Sequence, residues 1–183
     1  MGRVSQAQAQ ENRARVVATA ARLFRERGTD VSVADVMKAV GLTHGGFYKQ
    51  FASKEALVGE ATALAFAEQE GLRARQDEAH DGQREAARRG LIDWYLSAEH
   101  RDGAADGCPS AGLAVDMARD QDGSVARRAY VDGVRDFADW LAVEKGDDGL
   151  VRLSTMVGAL LLARATHGSP LSDDILDAAR EAL

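Results

Sequence analysis

Apolar residues recur at three- and four-residue spacing in segment after segment of this 183-residue chain, and prolines stand only at 109 and 170. That period buries one face of a helix and cannot be satisfied by a strand, whose faces alternate every second residue. Aromatics make up only 5% of the residues, and Ala, Leu, Arg and Glu are abundant, which again favours helices over a sandwich or barrel. The expected fold class is all-α. A hydrophobic content of 45% beside 28% charge suits a globular chain with a sizeable core and excludes full disorder.

The breaks between segments predict about nine helices. The first spans 11–27, carries Val16, Val17, Ala20, Leu23 and Phe24 on one stripe, and ends at Gly28, a C-cap glycine. Its arginines, Arg13, Arg15, Arg22 and Arg25, read mainly as a solvated face, with Arg13 and Arg15 in reach of phosphate. Ser32 and Asp35 form a capping-box pair ahead of a second helix, which Gly41 closes. Thr43 is a cap for a third helix of barely two turns, ending near Gln50. Ser53 caps a long fourth helix that runs to about residue 80, and a fifth follows over 84–99. Residues 101–109 read as a loop from their Gly, Asp and Pro content. Further helices are expected over 110–119, from 124 to about 145, over 150–167 and over 172–182.

Charge divides the chain. Residues 1–60 hold nine Lys/Arg against six Asp/Glu, whereas residues 61–183 hold fourteen against twenty-three. A basic N-terminal module on an acidic body is the asymmetry of a nucleic-acid reader with a second task. One cysteine excludes an internal disulfide and a Cys-based zinc finger, and fits a reducing cytoplasm. The polar N-terminus lacks the apolar core of a secretory signal. The most apolar stretch, 150–165, is broken by Arg152 and Arg164 and is too short for a bilayer, so no membrane role is expected.

The stretch VADVMKAVGLTHGGFYKQF meets the demands of a helix-turn-helix, with Gly41 at the turn, Val36, Val40, Leu42 and Phe47 as a small core, and Thr43, His44, Tyr48 and Lys49 as exposed donors. Together with the preceding ARLFRERG and the following SKEAL, in that order and spacing, it resembles the TetR family of bacterial transcriptional repressors over about residues 16–57. The resemblance implies a DNA-binding domain over 1–52 and an effector-binding and dimerisation domain over 53–183, linked by the long fourth helix. It implies base contacts from Thr43, His44 and Gly45, backbone contacts from Tyr48 and Lys49, and phosphate contacts from Lys54 and Ser32. Gly45-Gly46 departs from the common pattern, putting two poor helix formers in the recognition helix at about 1 kcal/mol each. They serve either close backbone approach to DNA or packing relief.

In the family the helical body binds a small molecule, and the last two helices pair with a mate. The resemblance therefore implies a homodimer on a palindromic double-stranded operator, released by a small-molecule effector. Candidate lining residues are Trp94, Tyr95, Cys108, Met117, Tyr130, Phe137 and Met156, with core packing the competing role for most of them. The fragment around Cys108, GCPSAGLAVD, resembles the Gly-Cys segment of a branch that includes electrophile- and oxidant-sensing repressors. Cys108 is either a thiol sensor or a small core residue. A cysteine–lysine link has few partners, since Lys145 is the one lysine beyond Lys54.

An enzyme is not expected. The four histidines, His44, His80, His100 and His167, lack metal-ligand spacing, and no nucleophile elbow, phosphate loop or dinucleotide fingerprint is present, so no metal or cofactor is implied. A helical protein-interaction module without DNA binding is the remaining alternative, which the charge split and the 43–49 donors disfavour.

Overall fold

The computed structural model describes residues 6–144 and 146–183, so Lys145 and the first five residues lie outside the described part. Among the described residues there are ten α-helices, two short 3₁₀ segments and no strand. Helix α1 is Gln6–Arg27, and its buried stripe is Val16, Val17, Ala20, Ala21 and Phe24. The amide of Gly28 closes it on the Phe24 carbonyl at 2.9 Å.

Helix α2, Val33–Ala39, starts at Ser32, whose Oγ accepts from the Asp35 amide. The Ser32 hydroxyl in turn donates to the Asp35 carboxylate at 2.6 Å. The helix ends in a Schellman motif: Leu42 N–H reaches Met37 C=O at 2.9 Å and Gly41 N–H reaches Lys38 C=O at 3.0 Å. That closure needs φ of +72° at position 41, where glycine pays no Cβ penalty.

The expected third α-helix is instead a 3₁₀ segment, His44–Lys49. Gly45 and Gly46 weaken α propensity there, and the short run closes by i→i+3 bonds such as Gly46 N–H to Thr43 C=O at 2.9 Å. Thr43 precedes the segment in extended conformation, and its side chain makes no capping bond.

Helix α3, Lys54–Ala79, is 26 residues long, about 39 Å at 1.5 Å per residue. Ser53 caps it by accepting from the Ala56 amide. It runs from the N-terminal head into the body and packs on both α1 and α8, Val125–Leu141. Close approach of α3 and α8 depends on Gly133: a Cβ there would lie 2.2 Å from the Phe66 ring.

Helix α4, Arg84–Tyr95, is shorter than the periodicity of 84–99 suggested, because Ser97 starts a new helix, α5, Ala98–Asp102. The stretch read as a loop holds α5 and a 3₁₀ turn, Ala104–Asp106. The helix expected over 110–119 is two, α6 Pro109–Gly112 and α7 Ala114–Arg119, separated at Leu113. Helices α9, Leu150–Ala165, and α10, Pro170–Glu181, form the C-terminal pair. The Ser172 hydroxyl fastens α10 to α9 through Ala163 C=O at 2.7 Å and accepts from Arg101 of α5 at 2.9 Å.

Two buried clusters result. One fills the head and extends to Leu113, Met117 and Ala126 of the body. The other, around Tyr95, Leu96, Phe137, Leu141, Met156 and Leu160, fills the far body. No helix among the described residues is long and apolar enough to cross a membrane.

Candidate functional site

The 3₁₀ segment is anchored by Phe47, which is fully buried and stacked on Phe51 with ring centres 5.2 Å apart. With that side chain pointing inward, Thr43, His44, Gly45, Tyr48 and Lys49 lie exposed together. Tyr48 is 65% exposed, so it is not a core residue. Its ring is braced edge-on by Phe47 at 5.1 Å and by His44 at 5.8 Å. This holds a large amphipathic side chain outward at little entropic cost. Lys54 is half-buried in the first turn of α3, where free backbone amides favour an anion. Ser32 is exposed on the same head, its hydroxyl engaged with Asp35.

Arg13 and Arg15 are each bonded within the head. Arg13 lies over the Phe51 ring at 4.7 Å and pairs with Glu60 at 2.6 Å. Arg15 donates to the Val40 carbonyl at 3.0 Å. Both brace α1 against the helix-turn-helix.

In the body, a cavity of about 190 Å³ opens between the end of α1, α3, α4 and residues 106–108. Of the seven residues proposed as effector lining, Trp94 and Cys108 border it. Tyr95, Phe137 and Met156 are fully buried in the far-body cluster, and Met117 belongs to the head-side cluster. Tyr130 is half-buried, donates its hydroxyl to Ser110 C=O at 2.6 Å and meets Phe66 edge-on. Burial pushes its phenol up to about 12.

Ala65, Leu72 and Gly107 line it as well, and its polar side comes from Arg25, Glu68, Gln69, Arg75 and Asp106. Periodicity alone hid Arg25 among solvated arginines. It is 5% exposed and pairs with Glu68 at 2.9 Å. The available signal was its place four residues after Ala21 and eight after Val17, on the buried stripe of α1. Arg22, one turn earlier, pairs with Asp106 at the cavity rim.

Cys108 is 3% exposed and sits in a chain of hydrogen bonds. Its Sγ accepts from Gln69 Nε2 at 3.1 Å. Its amide donates to His100 Nε2 at 3.1 Å, and His100 Nδ1–H donates to Tyr95 C=O at 2.7 Å. These partners require the neutral Nδ1–H imidazole. Trp94 stacks on the His100 ring with centres 4.5 Å apart. Burial above all lowers the His100 pKa from 6.5 to about 4. The unfolded imidazole takes its proton near 6.5, so between those values the unfolded state binds more protons. Stability is therefore expected to fall as pH drops from 6.5 towards 4, by about 3 kcal/mol over the window. Urea melts at stepped pH check this, since a His100→Gln variant should lose that part of the slope.

Residues 16–61 match the family model of bacterial regulatory proteins, tetR family. Most of the chain superposes on solved structures. A TetR transcriptional regulator from Chloroflexus aurantiacus J-10-FL is 27% identical, with 97% of this chain and 94% of that one covered and a TM-score of 0.74. A TetR-family regulator from Agrobacterium tumefaciens is 21% identical, covering 96% and 98%, at 0.77. The reduced form of NemR from E. coli is 20% identical, covering 94% and 95%, at 0.74. No curated protein matches the chain in sequence.

Proposed function

We propose, for a chain that belongs to the TetR family by residues 16–61 and its overall fold, that it is a cytoplasmic, ligand-responsive transcriptional repressor. It binds a palindromic operator as a homodimer and leaves it when a small-molecule effector enters the body. The reading involves no catalytic step. The observation that carries it is the exposed row Thr43, His44, Gly45, Tyr48 and Lys49 over a buried Phe47. A side chain as large as Tyr48, held outward by ring contacts and left 65% exposed, is suited to a partner surface.

The test is a titration of the duplex upstream of the chain's own coding sequence at stepped salt. Tyr48→Ala and Lys54→Ala are each expected to weaken binding about tenfold with unchanged melting. Lys54→Ala should also lower the slope of log K against log salt by about 0.9, one phosphate contact. His44→Ala should change which base pairs matter. Wild-type affinity and salt slope in all three variants would refute the assignment of the reading surface.

A second reading, a thiol-responsive repressor, is favoured by one observation: Cys108 borders the cavity with an amide donor on its sulfur. It predicts that alkylating agents release the wild-type protein from DNA and spare Cys108→Ser.

A further inference from the structure

Helix α1 is held at both ends. Near its start Arg13 donates to Gln50 C=O and lies over the Phe51 ring, and Arg15 donates to Val40 C=O, which joins α1 to the reading segment as one piece. At its far end there are three ties: Arg22 to Asp106, Arg25 to Glu68, and Thr29, just past the helix, to Asp116. They are not equivalent. Arg22 and Asp106 are both exposed, and such a pair contributes little. Glu68 lies on α3, which itself starts in the head, so that pair joins α1 to its own connector. Of the three, only the Asp116 tie combines a separate body helix, α7, with two hydrogen bonds. Asp116 Oδ1 accepts from the Thr29 amide at 2.8 Å and from Thr29 Oγ1 at 2.7 Å, and bonds to a carboxylate are the stronger kind.

Directionality decides what this tie does. Leu113, Met117 and Ala126 pack on the head core, but apolar burial is non-directional and resists separation more than sliding. Hydrogen bonds weaken steeply when misaligned, so the carboxylate fixes the angle that the apolar seam leaves loose. About 21 Å of helix separate Arg13, beside the reading segment, from Arg27, beside the latch. A swing of about 9° over that arm moves the reading row by about 3.4 Å, one base-pair step.

We propose, on the dimeric-repressor reading above, that the Asp116–Thr29 latch sets the angle of the reading head and so fixes the half-site spacing that the dimer accepts. Asp116 is a positioning residue, acting through Thr29 rather than on DNA itself. With the latch closed, an operator whose half-sites stand one base pair out of place is bound only at the cost of opening it. With the latch removed the head swings: the native spacing loses a preorganised partner, and the wrong spacing no longer carries the cost of opening.

Site-resolved hydrogen exchange on the full chain reads the latch without DNA. The Thr29 amide is expected to exchange about tenfold faster in Asp116→Ala than in the wild type. In Asp116→Asn it should keep nearly the wild-type rate, because both bonds land on one oxygen and the side-chain amide still offers one. Titrations then use the duplex upstream of the coding sequence, and versions with one base pair added or removed at the centre of the protected stretch. The wild type should discriminate against both altered duplexes. Asp116→Ala should discriminate about tenfold less and bind the native duplex more weakly. Asp116→Asn should restore the wild-type ratio. Partial unfolding would scale all three duplexes alike, so the ratio separates positioning from bulk stability. An unprotected Thr29 amide in the wild type, or an unchanged ratio in Asp116→Ala, overturns the latch, while binding of the native duplex keeps the repressor reading standing. Wild-type protein that binds no duplex sinks the repressor reading and the spacing role together, whatever the Thr29 amide shows.

Discussion

Glutamate at both Val151 and Leu162 is expected to yield a folded monomer that no longer holds its operator. Helix α9 shows one unpaired face, on which Val151, Ser154, Gly158, Leu162 and Ala165 follow one another at helical spacing. Val151 is 76% and Leu162 58% exposed, and Leu150, Leu161 and Leu171 extend the same apolar surface. At Gly158 a Cβ would meet nothing within 4 Å, so another helix has room to approach closely. A face of this kind at the end of a body with two buried clusters suits a two-fold contact, in which each side chain is buried twice. Burying what Val151 and Leu162 still expose in both protomers contributes about 4 kcal/mol or more, roughly three decades in the dimer constant. Four carboxylates in the same place add a desolvation cost. Sedimentation at micromolar concentration should show wild-type dimer and variant monomer, with equal helical circular dichroism. A monomeric wild type would end the proposal.

The second large effect is on folding. Gly149→Ala is expected to destabilise the chain by about 3 kcal/mol or more, lowering Tm by about 6–12 °C for a chain of this length. Gly149 has φ of +65°, and a Cβ built on it would lie 2.0 Å from the carbonyl oxygen of Ala138 and 3.0 Å from the amide nitrogen of Ala142. Backbone atoms of α8 cannot yield as a flexible side chain would. The same turn is knitted by Asp147, which accepts from the amides of Val143 and Gly149 at 2.9 Å and from Arg152. Gly146→Ala is the control. Its φ is +98°, but no atom lies within 4 Å of the added Cβ, so only the conformational cost remains. Equal melting temperatures for the two variants would show that the contact with α8 is relieved at no cost.

Where punctuation is local, residue types announce it. Gly28, Gly41 and Ser53 mark their helix ends because caps depend on a few adjacent residues. The head was legible for the same reason: Phe47 and Phe51 inside and Tyr48 outside follow from three- and four-residue spacing. Short elements were not. The pair Gly45-Gly46 signalled a weak helix, but the choice of 3₁₀ over α depends on seating Phe47 against Phe51. The split at Leu113 has only Gly112 as a local marker, and Leu113 itself is buried against the head. The polar cavity was the least legible part. Arg25 meets Glu68 across 43 positions of sequence, and Arg22 meets Asp106 across 84. Periodicity carries no information about such partners, and burying an arginine is decided by the partner it finds.

The head's core does not stop at the head. Leu113 and Met117, from the α6–α7 region, and Ala126 from α8 belong to the same buried cluster as Phe24, Phe47 and Leu57. The Asp116 carboxylate seals the seam by accepting from both the amide and the hydroxyl of Thr29, at 2.8 and 2.7 Å. Reader and body are therefore not interchangeable parts. A chimera that grafts residues 1–52 onto a foreign body would leave the face of α1 that packs on α6 and on residues 104–106 against an unmatched wall. To transplant this reader's specificity, an engineer must carry residues 113–126 along with it, or swap only the exposed row from Thr43 to Lys49 and leave the seam untouched.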